Sequence, residues 1–313
     1  MSAARDDLPA VSRRRVRLAL RAARERSGLS QAEVAKKLGW SLSKVQRIEL
    51  GEVAVSPIDL RALIVDVYGL TDVERIAELT EEARIARRER YWTAPEHRDH
   101  LTPGLIQLLQ FELAATSICE FQSTLVPGHL QTQEFAEATL GWYGLELTDE
   151  QRRVRRDVRL ARRERVIERD GAPEYRLLFD ESALWRIIGD MATTADQFED
   201  LAEAATRPNV HLRVLPMDRG ALMGMFGVFS VLRLGPDRDD AVVYRESYLR
   251  DALTEDVSEV LYHIDIFERF WQQALDEHAS RALVLARVYD IRARIARDND
   301  HGTNHGKEQD TRG

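Results

Sequence analysis

Apolar residues recur at helical spacing along the first ninety residues of the chain, with polar or charged residues between them. Capping residues, glycines and a proline divide this region into short segments. We therefore predict five helices, which span residues 12–27, 30–38, 42–50, 57–67 and 71–90.

The pattern in the rest of the chain is mixed. Helical spacing predicts helices at residues 105–121, 131–140, 149–169, 180–189, 194–205, 254–275 and 280–297. Alternation between turn signals predicts strands at Glu174–Phe179, Asn209–Leu215, Val228–Leu234 and Ala241–Glu246. The predicted fold class is two-domain, with an N-terminal all-α domain of five helices and a larger C-terminal α+β domain that has about four strands and several helices.

Shifts in composition set the predicted domain boundaries. We predict a flexible N-terminus at 1–12, a helical domain at 13–88, a linker at 89–104, an α+β domain at 105–297 and a disordered tail at 298–313. The tail is rich in Gly, Asp and Asn, and it lacks the apolar residues that a core requires.

The stretch from Leu29 to Gly51 carries the clearest local signals in the chain. Ser30 and Glu33 have the spacing of a capping box, in which each side chain accepts from the other residue's backbone N–H. Gly39 then favours a left-handed helix end, and Ser41 is placed to cap the next helix. Two short helices with a tight break are typical of a motif whose second helix enters the major groove of DNA.

This stretch resembles the helix-turn-helix of the XRE family, the phage-repressor and Cro type. The positions in register are Gln31, Ala32, Val34, Ala35, Gly39, Ser41, Val45, Ile48, Glu49 and Gly51. The resemblance implies a regulator that binds double-stranded DNA as a homodimer on a palindromic operator. The other interpretation is an ordinary helical hairpin inside a larger helical domain.

The candidate DNA contacts are Gln31, Ser41, Leu42, Ser43, Lys44, Gln46 and Arg47. The first two lie at helix starts, where side chains and backbone amides bind phosphate. The others face outward, so Lys44 and Arg47 suit the acceptors of guanine and Leu42 suits a thymine methyl group. Gln46 is expected to reach the DNA backbone or flanking bases. Glu49 is expected to orient its neighbours, since its charge would repel phosphate.

The net charge of −8 at pH 7 is unevenly divided along the chain. Residues 1–50 hold 12 Lys or Arg and 5 Asp or Glu, a charge of +7, so the remainder carries −15. A basic end attracts phosphate and an acidic body repels it, which would orient the molecule on a duplex. The arginines of segment 149–169 could also meet DNA, but we favour a solvated helix with internal ion pairs.

The larger domain resembles a domain of unknown function found in actinobacterial XRE-type regulators that are described as antitoxin-like. The likeness rests on the order of the segments 125–140, 161–167, 175–189, 209–234 and 242–247, of which 126–132 (VPGHLQT) carries the signature. It extends from about Leu105 to Val288. His129 replaces the leucine that is more common in this signature. The resemblance implies a small partner protein encoded by a neighbouring gene.

Three functions stay open at this point. The leading one is a sequence-specific transcriptional regulator, and the second is an antitoxin-like protein that sequesters the small partner and autoregulates. The third is a small-molecule sensor with the α+β domain as the receiving part. Separately, the stretch Gly220–Gly227 with Met217, Met223, Met225 and Phe226 is either a lid over a ligand or peptide groove or a plain turn between strands.

We expect no enzyme, because no nucleophile, phosphate loop or cofactor motif accompanies the carboxylates. His97 and His100 have a spacing that can bind a metal on a helix, but Pro95 favours a solvated linker, so we predict no metal. The single cysteine, Cys119, excludes an internal disulfide. The chain lacks an apolar run of roughly 20 residues and an apolar signal-peptide core, so we expect a cytoplasmic protein.

Overall fold

The computed structural model describes residues 8–51, 53–87, 100–142, 147–219, 227–246 and 251–309, with side chains as far as residue 299. The chain forms two compact units. The first comprises Met1–Arg98 with Leu109–Ala114, and the second comprises Asp99–Leu108 with Ala115–Gly313. Among the described residues, no helix is long and apolar enough to cross a membrane.

The N-terminal unit is helical, as predicted. Its helices are α1 (Pro9–Arg26), α2 (Gln31–Leu38), α3 (Leu42–Glu49), α4 (Pro57–Arg61, continued by a π-helical stretch Ala62–Val67) and α5 (Val73–Ile85). Each contributes apolar side chains to one core, which includes Leu20, Val34, Val45, Leu60, Ile64 and Leu79. Full burial of such a side chain stabilises the fold by about 1.5–3 kcal/mol.

Helix α1 begins earlier than the sequence pattern indicated. The prediction that residues 1–12 are flexible was wrong for 9–12, which are helical and buried, while residues 1–7 lie outside the described part. Pro9 suits the first helical position because its φ is fixed and its missing N–H is not needed there. The N–H of Ala10 donates to Gln110 Oε1 at 2.6 Å, which satisfies a helix-end donor.

The second unit is built on a six-stranded mixed sheet. The strands are β1 (Ser117–Gln122), β2 (Glu174–Asp180), β3 (Val210–Leu215), β4 (Phe229–Arg233), β5 (Ala241–Arg245) and β6 (Ala252–Thr254). Their order is β3-β2-β1-β4-β5-β6. The first three run parallel to one another, and β4, β5 and β6 add antiparallel pairs.

Helices and short 3₁₀ turns complete this unit. The helices are α6 (Pro103–Ala114, of which Leu109–Ala114 belongs to the first unit), α7 (Gln133–Gly141), α8 (Asp149–Arg163, continued by a π-helical stretch Glu164–Glu168), α9 (Met191–Ala204), α10 (Val257–Trp271) and α11 (Glu277–Gln309). The 3₁₀ turns are Gly128–Leu130 and Glu181–Trp185. Helix α10 packs its apolar side, including Phe267 and Phe270, on one face of the sheet.

Two strands were missed from the sequence, so the prediction of about four strands was wrong. Strand β1 had been assigned to a helix over 105–121, but that helix ends at Ala114. A strand at the centre of a sheet is buried on both faces and lacks the alternation that identifies a half-buried strand. Strand β6 has three residues, too few for any periodicity.

Two other segments differ from the predictions. Residues 180–189 were predicted to be helical, but they form the 3₁₀ turn Glu181–Trp185 followed by irregular chain. The tail 298–313 was predicted to be disordered, and this was wrong for 298–309, where α11 continues to Gln309. Extending an existing helix adds one hydrogen bond per residue fixed, and no proline interrupts this stretch. Residues 310–313 lie outside the described part.

Candidate DNA interface

The two helices of the motif begin and end where the sequence predicted. Ser30 Oγ accepts from the N–H of Glu33 at 3.3 Å, and Glu33 Oε2 accepts from the N–H of Ser30 at 2.8 Å, so the capping box is present. The backbone hydrogen bond from Ser30 lowers the pKa of Glu33. Gly39 ends α2 with φ +64°, and Ser41 Oγ accepts from the N–H of Lys44 at 3.2 Å.

Helix α3 divides cleanly into a buried and an outward side. Val45, Ile48 and Glu49 are buried in the unit. Leu42 is 43% exposed, and Ser43, Gln46 and Arg47 are exposed as well. Because an α-helix fits the width of the major groove, this outward row is the part of the unit suited to base edges.

The buried side chain of Glu49 is the centre of a partly buried polar network that joins three helices. Its Oε2 accepts from Gln31 Nε2 at 2.8 Å, and its Oε1 accepts from Arg24 Nε at 2.6 Å. Arg24 Nη1 also donates to the carbonyl of Leu29 at 3.0 Å. The hydrogen bond to Glu49 raises the pKa of Arg24, and burial together with the Glu49 charge raises that of Tyr68 to about 12. The network fixes the side chain of Gln31 at the start of α2.

Lys44 has a different environment from the other candidate base readers. Its Nζ lies 3.2 Å from Asp59 Oδ2 on α4. The same ammonium lies 3.6 Å from the ring centroid of Trp40, which occupies the turn between α2 and α3. The sequence analysis expected Lys44 to bind the acceptors of guanine. In the structure, its ammonium is held by an ion pair and a cation–π contact within the unit.

Much of the positive charge of α1 is used inside the N-terminal unit. Arg14 and Arg17 are buried. Arg15 pairs with Glu82 at 2.9 Å, and Arg24 pairs with Glu49. The net charge of residues 1–50 is therefore a poor guide to the number of cations that can bind phosphate. Arginines that are paired or buried inside the unit can neutralise a phosphate only if they give up their present partners.

Comparison with protein families agrees with this geometry. A family model described as a helix-turn-helix domain matches residues 16–77, which span the network and the outward row. A second model, described as a domain of unknown function (DUF5753), matches residues 105–286, more than half of the chain. The chain belongs to the DUF5753 family. No curated protein and no solved structure matches the chain.

The DUF5753 domain carries buried polar side chains on the sheet face opposite α10. Glu120 on β1 lies beside Ser230 on β4, which in turn lies beside Tyr244 on β5, and all three are buried. Glu120 accepts from Tyr175 Oη at 2.9 Å and from Gln122 Nε2 at 2.8 Å. Burial, above all, raises the pKa of Tyr244.

His129 lies close to Glu120 and completes a buried cluster with these side chains. One of its two ring nitrogens is unsatisfied within the described part of the chain. His129 is 1% exposed, and its Nδ1 accepts from Arg162 Nη2 at 3.3 Å, so the neutral ring carries its proton on Nε2. That Nε2 lies 3.7 Å from Glu120 Oε2 and has no hydrogen-bond partner among the described residues. Burial, with Arg162 and Arg163 nearby, holds the pKa of His129 well below 6.5.

Arginines of α8 form ion pairs within the helix and with neighbouring helices. Arg153 pairs with Glu150 at 2.6 Å, and Arg156 pairs with Glu137 at 3.1 Å. Arg163 Nη1 pairs with Asp200 at 2.7 Å. The pair with Glu150 is of the internal kind that the sequence analysis favoured, whereas Glu137 lies on α7 and Asp200 lies on α9, so these arginines also join α8 to its neighbours.

Two sequence hypotheses lie largely outside the described residues. His97 of the histidine pair falls there, and the part of the chain that the structure describes holds no group of three or more His, Cys, Asp or Glu able to bind a metal. Residues 220–226 of the proposed lid also lie outside the described part of the chain. Met217 lies inside it and is half exposed.

The sequence analysis missed the residues that come to the motif from outside it. Arg24 and Asp59 lie on α1 and α4, and each pairs with a residue of α3. No spacing rule links residues so far apart in the chain. The expectation that Glu49 orients its neighbours agrees with its bonds to Gln31 and Arg24.

Proposed function

We propose that the protein is a sequence-specific DNA-binding transcriptional regulator of the XRE type, which acts by binding and not by catalysis. The observation that carries the proposal is the outward row of α3, formed by Leu42, Ser43, Gln46 and Arg47, on a helix whose other side is fixed by Glu49. A rigid helix with an outward polar row can present side chains to base edges without first losing conformational freedom.

Each element of the motif has its own task in this proposal. Gln31, held by Glu49, contacts a phosphate at the start of α2, and Ser41 places the first turn of α3 against the DNA backbone. Arg47 reads guanine through N7 and O6, and Leu42 packs on a thymine methyl group. Gln46 reaches flanking bases or the backbone.

A second copy of the chain completes the operator complex. One recognition helix covers only a few base pairs, so useful specificity requires two half-sites about one helical turn apart. We propose that the protein binds a palindromic operator as a homodimer, with the dimer surface in the DUF5753 domain on α10 or α8. A monomer both in solution and on DNA, measured by light scattering, would contradict this part.

Genome-wide binding of the tagged full chain in its native cell tests the proposal directly. We expect a few palindromic peaks that Arg47→Ala abolishes. Arg75→Ala is the matched control, because it removes the same side chain from α5, where Arg75 pairs with Glu78. No peaks for the wild type, or identical peaks for Arg47→Ala, would contradict the proposal. A small protein that co-purifies from the same lysate and is encoded beside this gene would support the antitoxin-like alternative.

The buried cluster around His129 favours one further candidate function, a regulator that senses a small polar molecule. An unsatisfied Nε2–H close to the Glu120 carboxylate offers a donor and an acceptor side by side. Native mass spectrometry of the protein purified from its own cell tests this. An added mass that Glu120→Gln removes supports a sensor, and the bare chain mass in both proteins contradicts it.

A further inference from the structure

Lys44 is the third residue of α3, and its ammonium makes both an ion pair and an aromatic contact. Its Nζ is directed at α4, where Asp59 Oδ2 lies 3.2 Å away. The neighbouring side chains Leu42 and Ser43 are exposed in the outward row. From its place on the helix, Lys44 would be expected to contact DNA. Its ammonium group, however, is paired with Asp59.

Three features hold the ammonium in this place. The ion pair with Asp59 is partly buried, since 39% of the Lys44 side chain and 30% of the Asp59 side chain are exposed. The ring of Trp40 lies 3.6 Å from the same nitrogen, on the other element that flanks α3. Asp59 itself is fixed in the first turn of α4, where its N–H donates to Ser56 Oγ at 3.0 Å and the helix dipole favours its charge.

We propose that Asp59 is an intramolecular competitor of DNA for Lys44, and that it keeps this lysine from neutralising phosphate in non-specific complexes. The inference rests on the proposed DNA-binding function. Non-specific binding depends on the number of phosphates that cations neutralise. A cation withheld by Asp59 lowers that number, while the base contacts of Leu42, Ser43 and Arg47 are unaffected. Asp59 is then a specificity-determining residue that need not touch DNA.

The size of the effect can be stated as a salt dependence. Each phosphate neutralised on duplex DNA contributes about −0.9 to the slope of log K against log salt concentration. Releasing Lys44 should make the slope steeper by about one such contact. The affinity for non-specific DNA should rise about two- to fivefold, the range expected when a partly exposed ion pair no longer competes.

The experiment uses the full chain and a fluorescein-labelled 30-base-pair duplex of arbitrary mixed sequence, so that no operator has to be known. Fluorescence anisotropy gives the binding constant at several salt concentrations. The proteins are the wild type, Asp59→Asn, Lys44→Met and the double variant. Asp66→Asn is the control, because it removes the same charge from the exposed side of the same helical region. Circular dichroism melting confirms that each variant is folded.

The proposal expects a steeper slope and tighter binding for Asp59→Asn, with the wild-type slope for Lys44→Met and for the double variant. Asp66→Asn should leave the slope unchanged. Equal slopes for Asp59→Asn and the wild type would overturn the inference while leaving the proposed function intact. A shallower slope for Lys44→Met would also overturn it, because Lys44 would then already contact phosphate. If the wild type bound no duplex at any salt concentration, the proposed function would fail and this inference with it.

Discussion

Arg24 on α1 and Glu49 on α3 form an ion pair with 2.6 Å between Nε and Oε1, and 5% of the Glu49 side chain is exposed. A buried carboxylate is costly unless it is paired and hydrogen-bonded, so Glu49 requires α1 to be in place. The same carboxylate holds Gln31. The orientation of the two-helix motif therefore depends on a helix that precedes it.

Replacing Glu49 by alanine should destabilise the N-terminal unit by roughly 2–4 kcal/mol, because Arg24 and Gln31 both lose their acceptor at a partly buried site. Hydrogen–deuterium exchange of peptides from α1 to α3 measures the loss as faster local opening. Glu25→Ala is the control, since Glu25 Oε1 lies 3.7 Å from Arg24 Nη2 but is 55% exposed. It should change the opening free energy by less than about 0.5 kcal/mol. Equal effects of the two variants would contradict the role given to Glu49.

Two glycine-to-alanine substitutions should change the free energy of unfolding in opposite directions. Gly39 has φ +64° and open space around it, so Gly39→Ala should cost about 1–2 kcal/mol from the backbone alone. Gly141 lies in α7 with open space and without a positive φ, so Gly141→Ala should stabilise by about 0.5–1 kcal/mol. Differential scanning calorimetry of both variants measures the shifts. A stabilising Gly39→Ala would show that the left-handed helix end is not required.

Acidification should destabilise the DUF5753 domain through His129. Its pKa in the folded chain lies well below 6.5, whereas the unfolded chain binds the proton near pH 6.5. The unfolded state therefore gains protons first, so stability is fully present above about pH 6.5 and falls by up to about 1.4 kcal/mol per pH unit below it. Calorimetric midpoints at pH 7.5 and 5.5 should differ more for the wild type than for His129→Leu. Identical pH dependence in both would contradict the buried neutral histidine.

Replacing Arg47 should weaken operator binding and relax the preference at one base pair. Loss of a guanine contact costs about 1–3 kcal/mol, which corresponds to roughly 5- to 150-fold in affinity. Arg47→Lys keeps the charge but not the planar fork, so it should recover non-specific affinity without recovering discrimination. Anisotropy titrations on the operator and on each single-base variant measure both quantities. An unchanged preference profile for Arg47→Ala would remove Arg47 from the base readers.

The parts of the fold that local spacing determines could be predicted from the sequence. The capping box of Ser30 and Glu33 and the helix end at Gly39 depend on neighbours within four residues, so the pattern alone locates them. The outward row of α3 follows from the same helical period. The contacts of these side chains with DNA remain predictions.

Features that depend on distant parts of the chain could not be predicted. Strand β1 lacks alternation because both of its faces are covered, and the helical spacing of α6 continued into it. The partners of Lys44 and Glu49 lie on helices whose placement no spacing rule gives. The change from leucine to histidine at position 129 was visible in the sequence, but the burial of His129 and its proximity to Glu120 became visible only in the fold.

The place of β1 in the sheet bears on how the domain is made. This strand is the first of the sheet to leave the ribosome, yet its two neighbours, β2 and β4, begin at Glu174 and Phe229. Until both have been synthesised, β1 carries at least one open edge, which is a template for pairing with another chain. A chain that ends before β4 therefore keeps an open edge on β1, and the six-stranded sheet can be completed only after Thr254 has been synthesised.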